Sequence, residues 1–165
     1  PKEAIVRKAI RNLTVISCAA LLSTHLDAES TGGAITTDGM AGVTVGMTRR
    51  QVAPLIGGHI NADCYETKFG KVIIERGIVV LAETQSPRLA TRSGARVGMS
   101  DSALRKLYPG RLRRTDTPND FDTSSWTYWY YSSSGNGLRF DMRNGRVSSI
   151  AAGKIDVITR ESFCS

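Results

Sequence analysis

The sequence predicts an α+β protein of two tandem helix-plus-antiparallel-meander repeats, with the helices packed on one face of an antiparallel sheet. Three observations predict it. A stretch recurs: Gly42-Val43-Thr44-Val45-Gly46-Met47-Thr48 leads into Val52, Leu55 and Gly58, and Gly94-Ala95-Arg96-Val97-Gly98-Met99-Ser100 leads into Leu104, Leu107 and Gly110, at a constant offset of 52. A fixed period of that size marks a repeated supersecondary unit. Each copy opens like a capped helix, and each is followed by β-branched or aromatic runs punctuated by hairpin turns. The chain then divides into residues 1–28, a flexible lead-in over 29–41, a first repeat over 42–93 and a second over 94–165.

Residues 1–28 have the form of a secretory signal peptide. Lys2, Arg7, Lys8 and Arg11 make a basic start, and Leu13 to Leu22 is an apolar stretch too short to span a bilayer. The alternative is an amphipathic helix kept in the fold. Thr31 to Gly42 is rich in Gly and Thr with no apolar period and reads as a mobile lead-in.

Thr48 and Ser100 are N-cap residues, and Gln51 completes a capping box in the first copy. In the second, Asp101 places a negative charge in the first turn, where the helix dipole favours it. Met47 with Val52, and Met99 with Leu104, have the spacing of a hydrophobic staple. Gly57-Gly58 and Pro109-Gly110 end the helices, and Pro54 shortens or kinks the first.

Cys64 to Lys68 alternates weakly before a turn at Phe69-Gly70. Lys71 to Glu75 and Ile78 to Ala82 are β-branched strands joined at Arg76-Gly77. In the second half Arg111 to Arg114 begins a strand, and Trp126-Thr127-Tyr128-Trp129-Tyr130-Tyr131 is the most aromatic one. Leu138 to Met142 alternates and Asn144-Gly145 signals a type I′ turn. Val147 to Gly153 returns with Ile150 out of phase, which suggests a bulge, and Lys154 to Ile158 reads as a last strand.

The repeated "GVxVGMTxxxVxxLxG" element, Cys64-Tyr65 and the run from Arg146 to Gly153 toward Cys164-Ser165 resemble a family of small exported bacterial proteins of unknown function. A single repeat is similar to the SmpA/OmlA-type lipoprotein of the outer-membrane β-barrel assembly machine, and the tandem resembles β-lactamase inhibitor protein. The similarity covers roughly residues 40–165. It implies non-catalytic binding through an exposed sheet face, and an inhibitor of a secreted hydrolase as the alternative.

With 41% apolar and 22% charged residues the composition is that of a globular chain, and a net charge of +7 favours anionic partners. If residues 1–28 are removed, the net charge becomes +5 and two cysteines remain, Cys64 and Cys164. An even pair in an exported, periplasmic or secreted chain implies a disulfide, worth roughly 4–5 kcal/mol for so long a loop. Two buried free thiols are the alternative.

Little here supports catalysis, a cofactor or a metal. With residues 1–28 removed His59 is the one histidine, at a helix end, and no G-x-S-x-G or phosphate-binding glycine loop is present. Asp116, Asn119, Asp120 and Asp122 cluster without EF-hand spacing.

Binding has more material. If Tyr131 pairs with Leu138, then Trp126, Tyr128 and Tyr130 lie on the outer face with Arg139, a composition typical of protein-binding hot spots. A one-residue change of register reverses that assignment. The resulting expectation is an exported protein-binding module using Trp126, Tyr128, Tyr130 and Arg139. A polyanion or nucleic-acid binder, suggested by Arg111, Arg113 and Arg114, ranks below it, because disulfides and nucleic acid seldom share a compartment.

Overall fold

The computed structural model describes residues 34–57, 64–116 and 124–160. The elements, in chain order, are β1 (Gly39–Met40), β2 (Val43–Thr44), α1 (Arg49–Ile56), β3 (Cys64–Thr67), β4 (Gly70–Glu75) and β5 (Ile78–Thr84). They continue with α2 (Asp101–Leu107), β6 (Arg113–Asp116), β7 (Ser125–Tyr131), β8 (Asn136–Arg143), β9 (Arg146–Lys154) and α3 (Ile155–Ile158). Strands β1 and β2 form a small hairpin. The other seven make one antiparallel sheet in the order β3-β4-β5-β9-β8-β7-β6.

This overturns the expected arrangement of two helix-plus-meander repeats with helices layered on one face. Strand residues far outnumber helical ones, and the last strands of the two halves pair directly, from Leu81 opposite Gly153 to Thr84 opposite Ile150. One row of side chains crosses six strands without a break: Tyr65, Val72, Ala82, Ala152, Leu138 and Tyr130. The helices are too small to form a layer. α1 and α2 have eight and seven residues. That makes each roughly 12 Å long at best, against about 29 Å across seven strands.

Other segments therefore cover the sheet. Ile35, Met40 and Val43 are buried against it, within 2% exposure, so the stretch read as a lead-in contributes apolar side chains to the core. Ala82 and Ala152 are small enough to leave that hairpin room over the centre of the sheet.

What the two matched stretches share is a local docking device. Gly42 and Gly46, like Gly94 and Gly98, have φ between 84° and 90°, which favours glycine. The Gly46 amide donates to Val79 O and the Val79 amide to Met47 O, both at 2.8 Å. The Gly98 amide donates to Val147 O at 2.8 Å and the Val147 amide to Met99 O at 2.9 Å. Each capped helix start is thus pinned to the second strand of a hairpin, beside a turn with both central residues at positive φ (Arg76-Gly77 and Asn144-Gly145). Each pinned residue is followed by a register shift, at Ile73/Ile74 against β5 and at Asp141/Met142 against β9. The second shift lies where the phase of Val147 and Ile150 foretold a bulge. The caps form as the sequence predicts: Thr48 and Gln51 complete a capping box, and Ser100 Oγ accepts from the Ala103 amide.

The opposite face carries Ile73, Val80, Leu81, Trp129 and Ala151 beneath α3. Here the expected last strand over Lys154 to Ile158 is corrected: β9 ends at Lys154 and the next four residues turn into α3. Gly137 lies directly beneath it: a Cβ there would stand 2.6 Å from Tyr130 O in β7 and 3.1 Å from Ile158 Cδ1 in α3.

Candidate functional site

The aromatic strand β7 decides which surface is free. Tyr130 pairs with Leu138, Tyr128 with Phe140 and Trp126 with Met142, one residue away from the pairing of Tyr131 with Leu138. Trp126, Tyr128 and Tyr130 consequently share the face that α2 and the β1–β2 hairpin cover, while Arg139 sits on the other face beside Trp129. The four candidate binding residues do not form one patch. Tyr128 is 5% exposed and Arg139 8%.

Arg139 is a tie within the fold. Its Nε donates to Asp141 Oδ2 at 3.1 Å, and its Nη1 donates to the carbonyls of Ile158 and Arg160 at 3.2 Å. Asp141 also accepts from Thr127 Oγ1 at 3.2 Å and from Ser149 Oγ at 2.7 Å. The pair therefore joins β7, β8 and β9 to α3. Cys64 is disulfide-bonded at the start of β3, and Cys164 lies outside the described residues.

A groove of about 680 Å³ opens between α2 and the β6–β7 end of the sheet. Asp101, Arg105 and Lys106 line it from α2, Tyr108 and Gly110 from the turn after α2, and Arg114 and Tyr128 from the sheet. α2 turns its apolar Leu104 onto the sheet, which leaves Arg105 and Lys106 exposed on its last turn. Arg114 lies 4.8 Å from the Trp126 ring centroid and, just outside the groove, Arg111 lies 4.7 Å from that of Tyr130. A guanidinium laid on an aromatic face is held flat, so less freedom is lost when it binds a planar anion.

The acidic residues here are engaged. Asp116 pairs with Arg114 at 2.7 Å, and Asp101 accepts from the Tyr128 hydroxyl at 2.7 Å. Arg105, Lys106 and Arg114 therefore face Asp101 and the Asp116 paired with Arg114, which leaves the groove modestly basic, its excess carried by Arg105 and Lys106, with an aromatic floor.

Burial pushes the Tyr128 phenol above its ordinary value near 10. The hydrogen bond to Asp101 and that carboxylate's charge act the same way. Trp126, whose Nε1 is buried without a hydrogen-bond partner of good geometry, and Arg105 pull back more weakly. The sign follows from linkage. Below pH 10 both states hold the proton; above it the unfolded chain releases the proton first, so stability declines as pH rises through the raised value. Tyr128→Phe is expected to flatten this part of the alkaline decline in urea unfolding measured from pH 8 to 11. An unchanged slope would place the phenol in an ordinary solvated setting.

Sequence reasoning missed Arg105 and Lys106. The signal was present in α2, whose buried Leu104 faces the sheet and leaves the next two positions outward. His59, Asn119, Asp120 and Asp122 lie outside the described residues. Among the described residues no group of three or more His, Cys, Asp or Glu could hold a metal, and no helix is long and apolar enough to cross a membrane. Compared with family models, curated proteins and solved structures, the chain matches none.

Proposed function

We propose that the chain is a non-catalytic binding module that holds an acidic segment of another protein in the groove between α2 and the β6–β7 end of the sheet. The observation that carries this reading is the juxtaposition of Arg105, Lys106 and Arg114 over a floor containing Tyr108 and Tyr128. Arg, Tyr and Trp are the residues on which protein–protein affinity concentrates, and a basic groove steers acidic partners toward it. An oxidised Cys64 fits an exported protein working in the periplasm or outside the cell.

The test uses the full chain and a fluorescein-labelled hexaglutamate peptide, followed by anisotropy. The double variant Arg105→Glu, Lys106→Glu is expected to weaken binding at least tenfold, about 1.4 kcal/mol. Equal affinity of variant and parent overturns the reading.

The same cations favour a second reading, a binder of extended polyanions. Tight binding of heparin and single-stranded DNA with a steep salt slope, alongside weak peptide binding, would select it.

A further inference from the structure

We propose that β6 takes an extended acidic segment of a partner protein as an eighth strand of the sheet. The proposal rests on the groove being an acidic-segment site and adds how that segment is held.

β6 stands at the end of the sheet, paired only with β7 among the described residues, and all four of its residues are exposed. Alternate residues of an antiparallel edge strand direct both N–H and C=O away from the sheet. Proteins usually guard such an edge with very short strands, charged side chains, proline, a bulge or a covering element, and β6 has the first two, which restrict it to a partner of complementary charge. β6 contains no proline, and its register with β7 runs unbroken from Arg113 opposite Trp129 to Asp116 opposite Trp126.

Its charges do not stand across the edge. The Arg113 guanidinium lies 5.5 Å from the Tyr131 ring centroid on one face, and that of Arg114 lies over Trp126 on the other. Among the described residues nothing pairs with the outer side of this backbone, which lies between Arg113 on one face and the Arg114–Asp116 pair on the other.

The flanking charges specify the occupant. An added strand sends successive side chains to opposite faces. On the groove face they meet the Arg114–Asp116 pair, with the charge of Arg105 and Lys106, unpaired among the described residues, beyond it, and on the other face they meet Arg113. Acidic residues are thus favoured at successive positions, not only at alternate ones. The opposite edge offers no such complement, since β3 exposes Glu66 and α1 packs against it.

The experiment titrates the full chain into fluorescein-labelled Glu-Glu-Val-Glu-Thr-Glu-Glu and into two N-methylated forms, one methylated at odd residues and one at even. A strand offers only alternate amides to its neighbour. One form is therefore expected to lose at least tenfold in affinity while the other stays within twofold of the parent, with slowed amide exchange in β6 when the parent peptide is bound. Equal affinities of the two methylated forms overturn strand addition. In that case the groove reading still stands if the parent peptide loses affinity for the Arg105→Glu, Lys106→Glu variant. If the parent peptide does not bind at all, both readings fall.

Discussion

Replacing Arg139 with alanine is expected to remove about 2–3 kcal/mol of folding stability, since it deletes charge-assisted hydrogen bonds from a half-buried ion pair. The side chain of Arg139 is 10% exposed and that of Asp141 28%, with 3.0 Å between Nη2 and Oδ2. The substitution leaves Asp141 with Thr127 and Ser149 but no counter-charge, and it removes two donors from the carbonyls at the end of α3. Net stabilities of domains are about 5–15 kcal/mol, so the loss should be obvious in urea unfolding. Arg139→Lys keeps the charge without the fork that reaches three acceptors, and is expected to restore only a minor part. A loss under about 1 kcal/mol for the alanine variant would mean that α3 is held by apolar contact alone.

Gly153→Ala should be comparably severe, because it acts at the seam where the two halves become one sheet. A Cβ there would lie 2.4 Å from Val80 O and 2.9 Å from Leu81 Cα. Both are backbone atoms that only a displacement of β5 can relieve. Overpacking a tight interior by one methyl costs about 1–3 kcal/mol when side chains can yield, and here the obstacle is backbone, so a loss of about 3 kcal/mol or more is expected. Chemical unfolding gives the value. Hydrogen exchange should show the damage first in β5 and β9. A stable variant with those amides still protected would contradict the direct β5–β9 pairing.

Local structure was legible wherever local chemistry dictates it. Thr48 and Gln51 announce a capping box, the residue pairs Arg76-Gly77 and Asn144-Gly145 form the tight turns their composition favours, and the alternation over Leu138 to Met142 belongs to a strand. Facts that depend on distant partners were not legible. A six-residue aromatic run such as Trp126 to Tyr131 has apolar groups on both faces, so its own pattern cannot say which face is inward. The loop at Ser132 to Gly135 set the pairing instead, and it placed Tyr130 rather than Tyr131 opposite Leu138.

The same limit explains the other differences. The Gly- and Thr-rich stretch before Gly42 shows no apolar period, yet Ile35 and Met40 fill the space above Ala82 and Ala152. Four apolar-rich residues after Lys154 suit a strand as well as a helix, and as α3 they bury Val157 and Ile158 against Leu81, Trp129 and Ala151. A matched pair of Gly-Met turns implied two equal units, but the duplication extends only as far as the hairpin each turn docks on. At the candidate groove, Arg114 and Tyr128 could be named from sequence, whereas their meeting with Arg105 and Lys106 required the packing of α2 on β7.

Amide chemical-shift mapping of the full chain titrated with hexaglutamate tests the central claim most directly. The account predicts that the largest shifts fall between Asp101 and Gly110 and within Arg113 to Asp116, with Ala151 and α3 unmoved. Shifts centred on α3 and the Trp129 face, with the α2 groove silent, would contradict it.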